Sequence, residues 1–135
     1  MISTKGRYAL RFLADVAEHQ REGFVPLKDV AARQEISEKY LEIVVKELVK
    51  AGLLKATRGK GGGYRLSRPP EDYNVRSVIE IMEGPLAPVA CLQPGQETCP
   101  RKDTCRTLPL WQGLDRVISK YLSQFTLADL VSGSV

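Results

Sequence analysis

"ISEKYLEIVVKELVKAGLLKATRGKGGGYRLSR", residues 36–68, decides the fold. Ser37 is a good N-cap for the helical stretch that follows, because its hydroxyl can accept an amide that the first turn leaves unpaired. Leu41, Val44, Val45 and Leu48 recur at three- and four-residue spacing and form one buried stripe. Gly52 ends the helix, since it takes the left-handed conformation without a Cβ clash. "LLKATR" and "GYRLSR" then read as two short strands, with "GKGG" supplying turn residues that tolerate positive φ. A hairpin directly after a helix-turn-helix is a wing.

The segments on either side agree with that reading. Pro26 precedes "LKDVAARQE", a short helix burying Leu27, Val30 and Ala31; its missing N–H costs nothing at a helix start. With the helix after Ser37 it makes a helix-turn-helix pair. Residues 4–20 show Leu10, Leu13, Ala14 and Ala17 at helical spacing, with Ser3 or Thr4 as the cap. "PPEDYN" reads as a linker. Asn74 caps "VRSVIEIMEG", whose Val75, Val78, Ile79 and Met82 share one face. "LPLWQGLDRVISKYLSQF" carries Leu110, Leu114, Val117, Ile118, Tyr121, Leu122 and Phe125, a long helix with a wide apolar stripe. That stripe needs the first helix or a second copy of the chain to cover it, and C2 pairing is the commonest assembly. Thr126 and Asp129 suggest a capped final turn, "TLADL".

The fold class expected is mostly α: a winged helix-turn-helix DNA-binding domain with a small two-stranded wing and a long C-terminal dimerisation helix. The expected divisions are residues 1–84 for the DNA-binding domain, 85–105 for a cysteine-containing sensor loop, and 106–135 for the dimerisation helix and tail. The 135 residues carry 43% hydrophobic content, enough for a core without disulfides or metal. "ALRFLADVA" is too interrupted by Arg11 and Asp15 to be a leader, and no run reaches the ~18 apolar residues of a membrane span. A cytoplasmic protein is expected, with no membrane partner.

A net charge of +4 is mild, so clustering matters more than the total. The second motif helix enters the major groove in helix-turn-helix proteins. Its first turn offers Ser37, Glu38, Lys39 and Tyr40, with Glu42 behind: hydroxyls for phosphate or bases, Lys39 for phosphate or guanine, Glu42 for a cytosine amino group. The plainer alternative is a solvated helix face on which Ser37 only caps. The wing stretch Arg58, Gly59, Lys60, Gly61 and Gly62 is cationic and too glycine-rich to pack, which suits a narrow, electronegative minor groove. Thr4, Lys5, Arg7 and Lys28 (with Arg11 nearby) add contacts near helix starts. "GKGGGY" has neither P-loop nor dinucleotide-fingerprint spacing. The single His19 has no nucleophile partner and no paired carboxylates stand out, so no enzyme is expected.

"MISTKGRYALRFLADVA", the 36–68 stretch, "IMEGPLAPV" and the three-cysteine loop together resemble the IscR/NsrR/CymR regulators, the Rrf-two family. The resemblance covers nearly the whole chain. It implies a homodimeric transcription factor on double-stranded DNA with a palindromic operator, touching DNA through the second motif helix and the wing. It implies dimerisation through about residues 106–125. In cluster-bearing members three cysteines of this loop hold an iron–sulfur cluster, and Cys91, Cys99 and Cys105 match them. A 2Fe-2S cluster is favoured over 4Fe-4S, and an aerobic preparation can lack it. Where several relatives have a fourth-ligand histidine, this chain has Leu108; where others use a carboxylate of the partner's first helix, it has Arg7. Other members sense cysteine supply by binding a biosynthetic enzyme, which gives the alternative: a regulator of sulfur metabolism with a metabolic enzyme as partner and idle or redox-active thiols.

The cysteine chemistry itself leaves alternatives open. Thiolates are soft anionic ligands suited to iron–sulfur clusters and zinc. Gaps of seven and five residues fit zinc poorly. An odd cysteine count argues against a disulfide framework, though air oxidation can pair two of the three. Three unmetallated thiols are the plainest case. Arg101, Lys102 and Arg106 are expected to favour the thiolates. Glu97 and Asp103 are the oxygen donors within the loop, and the fourth ligand stays unassigned.

Overall fold

The computed structural model describes residues 2–95, 97 and 99–135. Helix α1 spans Thr4–His19, α2 Leu27–Gln34 and α3 Glu38–Lys50; strands β1, Leu54–Thr57, and β2, Gly63–Leu66, follow. Helices α4, Val75–Glu83, α5, Leu108–Ser123, and α6, Leu127–Ser132, complete the chain. This is a winged helix-turn-helix, mostly helical with one two-stranded antiparallel sheet. Leu54 pairs with Leu66 and Thr57 with Gly63.

Local chemistry explains the boundaries. Ser3, Ser37 and Asn74 each accept an amide of the following first turn. Thr126 and Asp129 form a reciprocal capping box ahead of α6. Helix α3 closes with the Leu53 amide on the Leu48 carbonyl and the Gly52 amide on Val49, both at 3.0 Å. With Gly52 at φ 78°, this is the paired six-to-one, five-to-two C-cap. Helix α2 ends instead on Glu35 at φ 55°, a left-handed residue that is not glycine. That one residue turns the chain from α2 into α3.

The core is built from Phe12, Leu13 and Val16 of α1, Val30 of α2, Leu41, Val44 and Leu48 of α3, and Val78 and Met82 of α4. Two features lie outside local patterning. "PPEDYN" is a structural plug rather than a linker: Tyr73 is buried and donates its hydroxyl to the Leu53 carbonyl at 2.6 Å, while receiving the Ser67 amide at 3.0 Å. Val25 pairs with Tyr64 as a third, single-residue edge of the wing. Gly63 permits this approach: its φ is 145°, and a Cβ there would lie 2.3 Å from the Val25 carbonyl oxygen.

The long helix divides its stripe. Leu122 and Phe125 pack with Val75, Ile79 and Leu86 in a second small core. Leu110, Leu114, Val117 and Tyr121 remain exposed, and no residue of α5 is buried. Beyond α5 the chain returns to the head. The Val75 amide meets the Phe125 carbonyl, the Leu127 amide meets Tyr73, and Leu127 is buried in the main core.

Candidate nucleic-acid interface and cysteine cavity

Helix α3 presents Glu38, Lys39, Glu42, Ile43 and Lys46 outward, opposite its buried stripe. Ser37 is exposed, and its oxygen already accepts the Tyr40 amide at 3.0 Å, leaving its O–H to donate elsewhere. Tyr40 is half-buried, its ring edge-on to Tyr8 with centroids 5.5 Å apart. The Arg11 guanidinium lies over the Tyr8 ring, 5.2 Å from its centroid, and donates to Gln34. Tyr40 is thus held from behind, with its position fixed by an aromatic neighbour.

Not every cation is equally available. Lys5 Nζ lies 2.7 Å from Glu47 Oε1, tying the start of α1 to the last turns of α3. Arg33 grips the buried Asp15 carboxylate through Nε and Nη2, with Gln34 donating to the same group. Burial alone would raise the Asp15 pKa. The Arg33 and Gln34 hydrogen bonds and the Arg33 charge outweigh it and hold the carboxyl below the ordinary value. This pair locks α2 against α1 and so sets the angle at which α3 is presented. Thr4, Arg7 and Lys28 stay exposed, as do Arg58, Gly59, Lys60 and Gly61 on the wing, with Gly62 half-buried at the turn.

The sequence patterning overlooked Ile43, Lys46 and Lys50, which share the outer face of α3 with Lys39 and Glu42. The signal was there: positions 39, 42, 43, 46 and 50 are the complement of the buried 41, 44, 45 and 48.

The cysteine loop runs from the end of α4 to the start of α5. Cys91, Cys99 and Cys105 line one cavity of about 290 Å3, with Glu97, Lys102, Leu108 and Gln112. All three are free thiols; Cys91 and Cys99 are exposed and Cys105 half-buried. No group of three or more potential ligands stands at metal-binding spacing among the described residues. Three soft donors around one cavity nevertheless fit a cluster in donor chemistry. Glu97 lines that cavity. Leu108, the position at which the resemblance implies a histidine in several relatives, also lines it. His19 lies elsewhere, hydrogen-bonded to the Asp15 carbonyl beside the wing.

The Cys105 thiol is pulled below its ordinary pKa. The chief cause is the Thr107 hydroxyl at 3.4 Å, followed by the Thr107 and Leu108 amides at the start of α5. Arg101 adds a small electrostatic share, so hydrogen bonding at a helix start does most of what the sequence assigned to Arg and Lys.

Comparison with known proteins gives a consistent set of likenesses. The Rrf2 family, described as an iron-dependent transcriptional regulator, matches residues 2–133. The chain is similar to the HTH-type transcriptional regulator IscR of Serratia proteamaculans, 41% identical over 97% of this chain and 79% of that protein. It is equally similar, at 41%, to the protein rrf2 of Nitratidesulfovibrio vulgaris, over 96% of this chain and 86% of that one. Among solved structures it resembles CymR, the global cysteine regulator of B. subtilis, with TM-score 0.80 and 37% identity over 98% and 96% of the two chains. It also resembles the T. potens IscR structure, with TM-score 0.76 and 36% identity over 100% of this chain and 88% of that one.

Proposed function

Because the chain belongs to the Rrf2 family of transcriptional regulators and is no enzyme, we propose that it is a cytoplasmic homodimer that reads a palindromic operator through α3 and the wing. Its transcriptional output is tuned by the cysteine loop. The single observation carrying the sensing claim is that Cys91, Cys99 and Cys105 line one cavity with Leu108 and Gln112 of α5. In this reading residues 1–84 form the DNA-reading head, 85–105 the sensor loop and 106–135 the dimerisation segment, although α6 packs back on the head.

The three thiolates would hold an iron–sulfur cluster, with 2Fe-2S favoured, and Glu97 is the carboxylate on the same cavity. When bound, the cluster supplies a group sensitive to oxidation and nitric oxide. The chain's own part is positional. Leu86, Leu92 and Pro94 line a small cavity together with Arg76 and Glu80 of α4 and Asp115 and Ser119 of α5. The loop therefore abuts both the head and the long helix. Helix α5 offers its uncovered Leu110, Leu114, Val117 and Tyr121 to a second copy; their spacing of four, three and four is that of a two-helix seam. Operator half-sites read by such a dimer stand ~34 Å apart, so a small reorientation of the heads changes affinity.

A second reading is supported by the likeness to CymR, named a global cysteine regulator. There the thiols are idle or redox-active and a metabolic enzyme is the regulatory partner. Anaerobic purification, absorbance and iron and sulfide assay separate the two. The cluster reading expects coloured protein with stoichiometric iron and sulfide, lost in Cys91→Ala, Cys99→Ala and Cys105→Ala. Colourless, iron-free anaerobic protein sinks it and leaves the DNA reading standing.

A further inference from the structure

One residue on the outer face of α3 is explained neither by the core nor by contacts to phosphate. At 100° per residue, Lys39, Glu42, Ile43, Lys46 and Lys50 fall within one arc of about 100°. Opposite them stand the buried Leu41, Val44, Val45 and Leu48. One flank is covered by α1, through Tyr8 on Tyr40 and Lys5 on Glu47. Ile43 belongs to neither core cluster: it is 54% exposed, in the second turn of the helix, among three lysines. None of those lysines is paired with a carboxylate among the described residues.

Single exposed apolar residues are ordinary on protein surfaces. This one differs in its setting. The surrounding unpaired lysines suit a polyanion, and the first two turns of a recognition helix are the part that reaches base edges. In the major groove every base edge presents donors or acceptors, and the only apolar group is the C5-methyl of thymine. An isoleucine against a G·C edge would strip water from N7, O6 and N4 while pairing with none of them, which costs free energy. Against a thymine methyl both partners lose apolar surface to water. Resting on the reading that α3 enters the major groove, we infer that Ile43 is a specificity residue that contacts a thymine C5-methyl in each half-site. Glu42 and Lys39 beside it face the hydrogen-bonding edges.

The test removes that methyl and nothing else. Preferred sites are selected from random unmethylated duplex with wild-type protein, which excludes 5-methylcytosine as the source of the methyl. Each selected thymine is then replaced by deoxyuridine, and affinities are measured for wild type, Ile43→Val and Ile43→Ala. At one thymine per half-site, uracil should weaken wild-type binding about fourfold, the worth of one buried methyl, and about fifteenfold when both half-sites are changed. Ile43→Val should retain most of the effect and Ile43→Ala none. The salt dependence of binding should be the same in all three proteins, because no phosphate contact changes. A uracil effect equal in wild type and Ile43→Ala, or absent at every thymine, overturns the assignment while leaving sequence-specific binding intact. Failure of wild type to select any sequence overturns the DNA reading and this inference with it.

Discussion

The Glu83 carboxylate, at the last residue of α4, accepts the Gly6 amide at 2.9 Å. It also receives the Ser3 amide at 3.0 Å and the Ser3 hydroxyl. One side chain thereby serves the unpaired amides at the start of α1, the end carrying Thr4, Lys5 and Arg7. Burial alone would raise its pKa. The Ser3 and Gly6 hydrogen bonds and the Lys5 charge outweigh burial and hold it below the ordinary 4.5.

A carboxylate depressed in the folded state adds stability above its unfolded pKa and loses it as pH falls through the folded one. Glu83→Ala should therefore cost about 1 kcal/mol at pH 7, the usual worth of an N-terminal cap. The gap between wild type and variant should narrow as pH drops below about 4. Urea unfolding of both proteins in steps from pH 7 to pH 3 measures it; a gap that stays constant over that range contradicts the assignment.

Gly63 carries the join between wing and head. Gly63→Ala drives a Cβ into the Val25 carbonyl and should cost at least ~2 kcal/mol, a backbone clash added to a strained φ. Gly59→Ala, also at positive φ but with open space around it, should cost about 1 kcal/mol. Thermal melting ranks the two. Equal losses would mean the Val25–Tyr64 bridge contributes nothing.

The caps and periodicities were legible because they are local. Ser37, Asn74 and the Thr126–Asp129 box can be read within four residues of themselves, and the 41, 44, 45, 48 stripe within two turns. What the sequence hid was pairing over distance. Tyr73 in "PPEDYN" looks like an ordinary linker residue until the Leu53 carbonyl, twenty positions away, receives its hydroxyl. Asp15 looks like a break in an apolar helix until Arg33 closes on it. The long stripe of α5 gave no sign of dividing, because Leu122 and Val117 differ only in what α4 brings near them. The cysteine positions were plain, but that Leu108 and Glu97 share their cavity was not.

Helix α5 leaves Leu110 62% and Val117 64% exposed, apolar surface that a second copy would cover. If α5 pairs two copies, wild type should be dimeric and Val117→Asp monomeric at micromolar concentration in sedimentation equilibrium, with the helical circular dichroism signal unchanged because no core residue is touched. A variant that stays fully dimeric would move the interface off this face.

The central claim is that α3 and the wing read DNA, and operator titration tests it most directly. Fluorescence anisotropy on a selected palindromic duplex, at several salt concentrations, should show binding that weakens steeply with salt. Arg58→Ala and Tyr40→Ala should each weaken it by about tenfold, near 1.4 kcal/mol, with circular dichroism confirming that both fold. Wild-type affinity in both variants, or equal wild-type affinity for the selected and a scrambled duplex, would contradict the account.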